Sequence, residues 1–271
     1  MLQHQIISEL GVKPTVNYEI ELAQRVNFLV EYLQATRAKG YVLGISGGVD
    51  STLGGRLAQL AAERVRAAGG AAEFIAVRLP HHIQRDEADA QAALEFINPD
   101  RLITYNIGAT ADAMEAEYAQ SIGVKISDFN KGNIKARLRM TAQYAIAGDL
   151  GMLVVGTDHA AEAVTGFYTK YGDGGADLTP LSGLNKRQVR GFVKYLGGGA
   201  ALVGKVPTAD LLDGNPGRTD EDELGLRYDD IDDYLEGKIV PPEIAARIEQ
   251  FFVRSRHKRT MPVTPWETWW K

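Results

Sequence analysis

One eight-residue run concentrates the groups best suited to chemistry: Gly44-Ile45-Ser46-Gly47-Gly48-Val49-Asp50-Ser51. Holding a phosphate needs backbone N–H groups that approach it closely, and glycine permits the approach without steric cost. A helix starting at the end of the run would add its first N–H groups and its dipole. Ser46 and Ser51 bring hydroxyl donors. Asp50 has two readings, a helix cap or a hard oxygen ligand that holds Mg²⁺ against phosphate oxygens. The plain alternative for the whole run is a tight turn followed by an N-cap.

The run is not the lysine-bearing phosphate loop, because no lysine precedes its last serine. The near match to that pattern is Gly199 through Gly204-Lys205. There Val206 replaces the hydroxyl residue and the segment reads as entry to a strand, so it is a decoy. His81-His82 and His159 read as polar spacers. The acidic run Asp229-Asp230-Ile231-Asp232-Asp233 lacks the spacing and glycine of a calcium loop, so a solvated helix or a docking surface is expected.

A phosphate loop works only if a strand delivers it and a helix follows. Tyr41 to Ile45 is a short apolar run that reads as a buried strand, and a helical pattern runs from Asp50 to about Ala68. An amphipathic helix over 17–38 precedes them. Further strands are expected at Phe74 to Leu79, Arg101 to Asn106 and Met152 to Val155. Helices are expected at Arg85 to Ile97, about 109–122, about 130–148, Lys186 to Leu196 and from Pro242 to about His257, with a loop at 172–177 and a turn at Asn215-Pro216-Gly217. Strands alternating with helices of this length predict an α/β fold, a doubly wound, mostly parallel sheet with helices on both faces. Ligands of such sheets sit beyond the carboxyl ends of the strands. Residues 1–271 are expected to form one domain with a helical C-terminal elaboration.

Bulk properties narrow the function classes. With 271 residues, 45% hydrophobic and 24% charged, the composition is that of an ordinary globular protein. A net charge of −5 gives no bulk attraction to nucleic acid or a membrane surface, and neither is expected as a partner. Cysteine is absent, which excludes disulfides, thiolate metal sites and a cysteine nucleophile within these residues. No apolar run approaches the ~20 residues that cross a bilayer, and the N-terminus lacks a signal-peptide pattern. Cytoplasm is the expected compartment.

The Ser-Gly-Gly-x-Asp-Ser pattern resembles the loop of the ATP pyrophosphatases, which cleave ATP to AMP and pyrophosphate. Within that group the chain resembles the ammonia-dependent NAD synthetases, on segments that follow the family's order. These are Gly156-Thr157-Asp158-His159-Ala160-Ala161-Glu162, Lys170 to Asp177, Pro180-Leu181 with Leu184 to Val189, Pro207 to Leu211, Arg218 to Gly225, and His257-Lys258-Arg259. Val49 departs from the pattern, since many members carry glutamine there.

The resemblance implies a Rossmann-like, adenine nucleotide alpha-hydrolase-like fold and a reaction in which ATP adenylates the carboxylate of deamido-NAD before ammonia attacks. It implies that Gly44, Ile45, Ser46, Gly47, Gly48, Val49, Asp50, Ser51, Thr157, Lys186 and Thr208 contact ATP. Asp50 and Glu162 would ligate Mg²⁺. Arg137, Lys170, Asp177, His257 and Lys258 would bind deamido-NAD, with Phe129, Asn133, Tyr144, Phe167 and Asp173 lining its pocket. It also implies a homodimer, and free ammonia as nitrogen donor, since a glutaminase domain would need a cysteine and room before Gly44. Taken alone, Glu162 and Arg137 read as solvated charges. Two rival functions remain at this point: another ATP-pyrophosphatase-type enzyme, such as a tRNA-modifying one, and a non-catalytic adenine-nucleotide-binding module.

Overall fold

The computed structural model describes residues 2–82, 87–207, 213–214 and 219–271. In chain order the elements are α1 (Leu2–Glu9), α2 (Tyr18–Thr36), β1 (Gly40–Gly44), α3 (Val49–Ala67), β2 (Glu73–Arg78) and α4 (Glu87–Ile97). Then come β3 (Arg101–Thr104), α5 (Gly108–Ile122), α6 (Asp128–Leu150), β4 (Leu153–Val154), α7 (Ala160–Thr165) and α8 (Lys186–Tyr195). The chain closes with α9 (Ala200–Gly204), α10 (Asp220–Leu224), α11 (Tyr228–Leu235), α12 (Pro242–Arg254) and α13 (Arg256–Arg259).

The four strands form one parallel sheet in the order β3-β2-β1-β4. Alternation along the strands divides its residues between two faces, because successive side chains point oppositely. Tyr41, Leu43, Phe74 and Ala76 pack with α2, α3, α4 and α8, whereas Val42, Ile75, Val77 and Val154 pack with α6. Both faces of β1 and β2 are therefore buried, which is why these strands read as continuous apolar runs, whereas β3 at the sheet edge is largely exposed. A third cluster joins Ile6 of α1 to Ala161 and Val164 of α7, Ile231, Tyr234 and Leu235 of α11, and Ile248 and Phe252 of α12. That cluster packs the C-terminal helices α11 and α12 against α7 and the N-terminal helix.

Several elements depart from the sequence reading. The Gly199–Lys205 stretch is not a strand entry but the short helix α9, capped at Gly199. The acidic run lies on α11, and one face of that helix is buried rather than solvated: Ile231, Asp232, Tyr234 and Leu235 all point inward. α1, α7 and α10 were not anticipated; each spans eight residues or fewer, too short for a 3.6-residue period to show. The turn expected at 215–217 and the first two residues of the helix expected from Arg85 fall outside the described residues.

Winding reverses between β1 and β4. From β1 the chain proceeds through β2 to β3 on one side, then returns to lay β4 on the other. The carboxyl ends of β1 and β4 thus face a crevice at the switch point, where ligands of open α/β sheets bind.

Candidate active site

The crevice holds an open cavity of about 280 Å³. Its floor is the loop that leaves β1. Gly47 has φ 85°, and a Cβ there would sit 2.8 Å from the backbone nitrogen of Ala90 on α4, so the turn requires glycine. Gly48 caps α3 with an extended backbone and no side-chain bond. Its carbonyl accepts the hydroxyls of Ser51 at 3.1 Å and Thr52 at 2.8 Å, while the Ser46 and Ser51 hydroxyls lie 3.2 Å apart.

Asp50, in the first turn of α3, meets groups from two other helices. The Lys186 Nζ donates to its Oδ2 at 2.8 Å, and the His159 Nε2 lies 3.2 Å from its Oδ1. Glu162 Oε1 is 3.5 Å from the same His159 nitrogen and 4.0 Å from Lys186 Nζ. Burial pushes the Asp50 carboxyl up, but Lys186 and His159 outweigh it and hold the group well below the usual carboxylate range. Glu162 goes the other way: burial and then the Asp50 charge raise it well above its ordinary value.

Local sequence explains why these side chains converge. Asn185 and Gln188 form a capping box that starts α8 at Lys186, an arrangement worth about 1 kcal/mol. Asp232 of α11 then accepts the backbone N–H groups of Lys186 at 3.0 Å and Arg187 at 2.7 Å. Lys186 is 1% exposed and passes over the ring of Tyr228, 4.8 Å from its centroid. His159 caps α7 by accepting the Glu162 N–H, so the helix that carries Glu162 begins on the residue that touches Asp50.

Of the residues singled out from sequence, Gly44, Ile45, Ser46, Gly48, Val49, Asp50, Ser51, Thr157, Glu162, Phe167, Asp173 and Lys186 line the cavity. Gly47 shapes the loop from behind, against α4. Thr208 lies outside the described residues. The other candidates border the cavity rather than line it. Phe129, Asn133 and Arg137 follow at four-residue spacing on α6, and the last two meet the 166–177 segment. The Asn133 Oδ1 accepts the Thr169 hydroxyl at 2.7 Å, and Arg137 donates to the Lys170 carbonyl at 3.3 Å. Asp177 accepts the Val154 N–H at 2.7 Å and the Tyr144 hydroxyl at 3.2 Å. The Lys258 Nζ reaches the carbonyls of Gly166 at 2.7 Å and Tyr168 at 2.6 Å, with exposed His257 beside it on α13.

Sequence reasoning missed four polar wall residues. Arg139, Gln143, Lys205 and Asp220 also line the cavity. Lys205 is the lysine of the decoy pattern, so the pattern failed as a motif yet its lysine arrives at the site, paired with Asp89 at 2.9 Å. His159 is a buried member of the central cluster and not a spacer. Its place between two carboxylates was signalled only by its nearness in sequence to Glu162.

The residues present fit a magnesium ion. Oxygens of Asp50 and Glu162 lie within 4.8 Å of one another, and the Asp50 Oδ1 is buried beside the His159 Nε2, 3.2 Å away. Burial and then the Asp50 charge drive Glu162 toward its neutral form although Lys186 faces both carboxylates, and a divalent cation would favour the ionised form of each. Carboxylate oxygens are the hard donors Mg²⁺ prefers.

A parallel sheet covered on both faces, with its crevice at the switch point, places the chain among doubly wound, Rossmann-like α/β proteins. Within that class the chain belongs to the NAD synthase family, whose model matches residues 21–262. A Bacillus velezensis protein named NH(3)-dependent NAD(+) synthetase is 58% identical over 270 residues, covering 100% of this chain and 99% of that one. A crystal structure of NAD+ synthetase from Burkholderia pseudomallei superposes with a TM-score of 0.83 at 46% identity, covering 96% of each chain. The structure of an NMN synthetase from Francisella tularensis gives 0.81 at 36% identity, covering 93% of this chain and 100% of that one.

Proposed function

We propose that this chain amidates deamido-NAD with ammonia at the expense of ATP, giving NAD, AMP and pyrophosphate in the last step of NAD biosynthesis. The observation that carries the reading is the meeting of Asp50, Glu162 and buried Lys186 at the mouth of the glycine loop, in a chain of the NAD synthase family.

A carboxylate is a poor acyl donor because its oxygen leaves badly. Adenylation corrects this: a nicotinate carboxylate oxygen bonds to the α-phosphorus of ATP while the bond from that phosphorus to the bridging oxygen breaks, and pyrophosphate departs. Ammonia then adds to the activated carbonyl carbon, a proton leaves the nitrogen, and AMP is expelled. The loop from Gly44 to Ser51 holds the phosphates and then the pyrophosphate through backbone N–H groups and the Ser46 and Ser51 hydroxyls. Lys186 offsets charge that develops on the phosphates. Thr157 and Thr208 complete the ATP contacts. Mg²⁺ held by Asp50 and Glu162 would supply Lewis-acid neutralisation of the phosphate oxygens.

The α6 stripe with Lys170, Asp177, His257 and Lys258 is the proposed bank for the dinucleotide, with Phe167 and Asp173 at its junction with the cavity. Its cations suit a pyrophosphate and a carboxylate. A homodimer is proposed as well, on membership of the NAD synthase family. Free ammonia is the proposed donor, since no cysteine is present to release it from glutamine. Residues 1–271 are proposed to act as one domain.

The test is an assay of purified protein with ATP and Mg²⁺, offering deamido-NAD or nicotinate mononucleotide, and ammonium or glutamine. NAD formed only with deamido-NAD and ammonium, matched one-to-one by AMP and pyrophosphate, is the expected result. Preference for the mononucleotide would move the chain toward its NMN synthetase relative, and no pyrophosphate with either acceptor would defeat the reading.

A further inference from the structure

Apart from the Asp50 cluster, one other group of potential metal ligands converges among the described residues. A ring nitrogen of His81, one of His82 and a carboxylate oxygen of Asp112 all lie within 4.8 Å of one another. His82 Nε2 is 3.0 Å from Asp112 Oδ2, and the two imidazole rings are 4.5 Å apart between centroids.

Three features separate this cluster from a chance surface contact. The backbone of His82 is left-handed, with φ 57°, a conformation that side-chain-bearing residues keep only where their surroundings enforce it. Asn106 enforces it: its Oδ1 accepts the N–H groups of His82 at 3.2 Å and Gly108 at 2.8 Å, and its Nδ2 donates to the His82 carbonyl at 2.9 Å. The ring is wedged as well. A Cβ on Gly108 would lie 2.6 Å from His82 Nδ1, so that nitrogen abuts the first residue of α5 while Nε2 faces Asp112. Finally, His81 Nε2 is buried with no hydrogen-bond partner among the described residues, an exception that a bound ion would relieve.

We propose that His81, His82 and Asp112 form a binding site for a borderline divalent transition-metal ion of the Zn²⁺ class, with water completing the shell. Two imidazoles and one carboxylate are the donor set such ions select, whereas Mg²⁺ favours all-oxygen sites. Burial, followed by the charge of Lys135, holds His81 below the ordinary histidine range, which favours the neutral ring that ligation needs. The ion would staple the turn after β2 to α5. Leu79 at the head of that turn lines the cavity, and its carbonyl accepts from Arg139 at 3.0 Å, so the staple borders the cavity wall.

Co²⁺ is the probe. Metal-free protein is titrated with Co²⁺ in excess Mg²⁺, which competes for the Asp50 and Glu162 oxygens, and visible absorption is recorded. The expected result is an intense four-coordinate Co²⁺ spectrum saturating at one ion per chain and displaced by Zn²⁺. It should vanish in His82→Asn and Asp112→Asn, and Gly108→Ala should weaken binding about tenfold. Asp112 is exposed, so its variant keeps the fold, and thermal unfolding verifies this. Absence of the spectrum from the unaltered chain, or a spectrum of unchanged strength in Asp112→Asn, overturns the proposal.

Discussion

His159 bridges two helix starts: its Nε2 lies 3.2 Å from Asp50 Oδ1 in the first turn of α3, while its Nδ1 accepts the Glu162 N–H of α7 at 3.4 Å. Accepting at Nδ1 leaves the proton on Nε2, so the ring donates toward Asp50. Burial, the largest influence, holds His159 below the ordinary histidine range and keeps the ring in this neutral form. One residue thus starts the helix of one carboxylate and aims the other.

His159→Asn should separate those two duties. Asparagine is as good an N-cap, so α7 and the thermal midpoint are retained, whereas the shorter side chain no longer reaches Asp50. Losing a hydrogen bond to a charged group costs about 1.5–3 kcal/mol, so kcat should fall about 10- to 100-fold. Steady-state release of pyrophosphate measures it, and an unchanged kcat would confine His159 to capping.

Lys186→Met should impair both stability and turnover. It removes the cation from a buried cluster and leaves Asp50 facing Glu162, with a stability loss of about 3 kcal/mol. Pyrophosphate release should drop at least about 100-fold. Denaturant unfolding and the same assay report the two effects separately.

Glu162→Gln should move stability and metal dependence in opposite directions. Burial and Asp50 already disfavour the Glu162 charge, so the amide should leave the metal-free protein as stable or more so. With one hard anionic ligand gone, the Mg²⁺ concentration for half-maximal activity should rise about tenfold. Thermal unfolding in a chelator, paired with a Mg²⁺ titration, decides it; a less stable variant with unchanged Mg²⁺ demand would contradict the assignment.

These roles were only partly legible in the sequence. The loop and the sheet were readable because glycine spacing and buried apolar runs are local signals. Asp232 was not: a carboxylate in an acidic run reads as solvated, yet this one is 1% exposed and holds the first backbone N–H groups of α8. Its partners lie 46 and 45 residues earlier, and no local pattern encodes such a contact. Lys205 was hidden by a failed motif, and Arg139 because an arginine on a helix reads as a solvated charge by default.

Acid stability offers a test away from the site. Burial raises the Asp100 carboxyl, but hydrogen bonds from Arg66, Gln59 and the Phe74 N–H prevail and place it below its ordinary value. A depressed folded value means the contribution is fully present above the unfolded pKa of about 4 and is lost as pH falls through the folded one. Asp100→Asn should therefore be less stable at neutral pH and show a shallower loss below about pH 4. Thermal midpoints across that range measure both, and parallel curves for the two proteins would refute it.

The grip of α11 on α8 sets an order of assembly. The helix that presents Lys186 is secured by Asp232 and by Glu236, which accepts from Asn185 at 2.9 Å and Arg187 at 2.9 Å. All four strands have been synthesised by residue 154, but the clamp on α8 does not exist until residue 236 has emerged. In translation order the strands and the glycine loop therefore precede the residues that lock Lys186 opposite Asp50. The lysine is placed by a part of the chain made after the whole of the sheet.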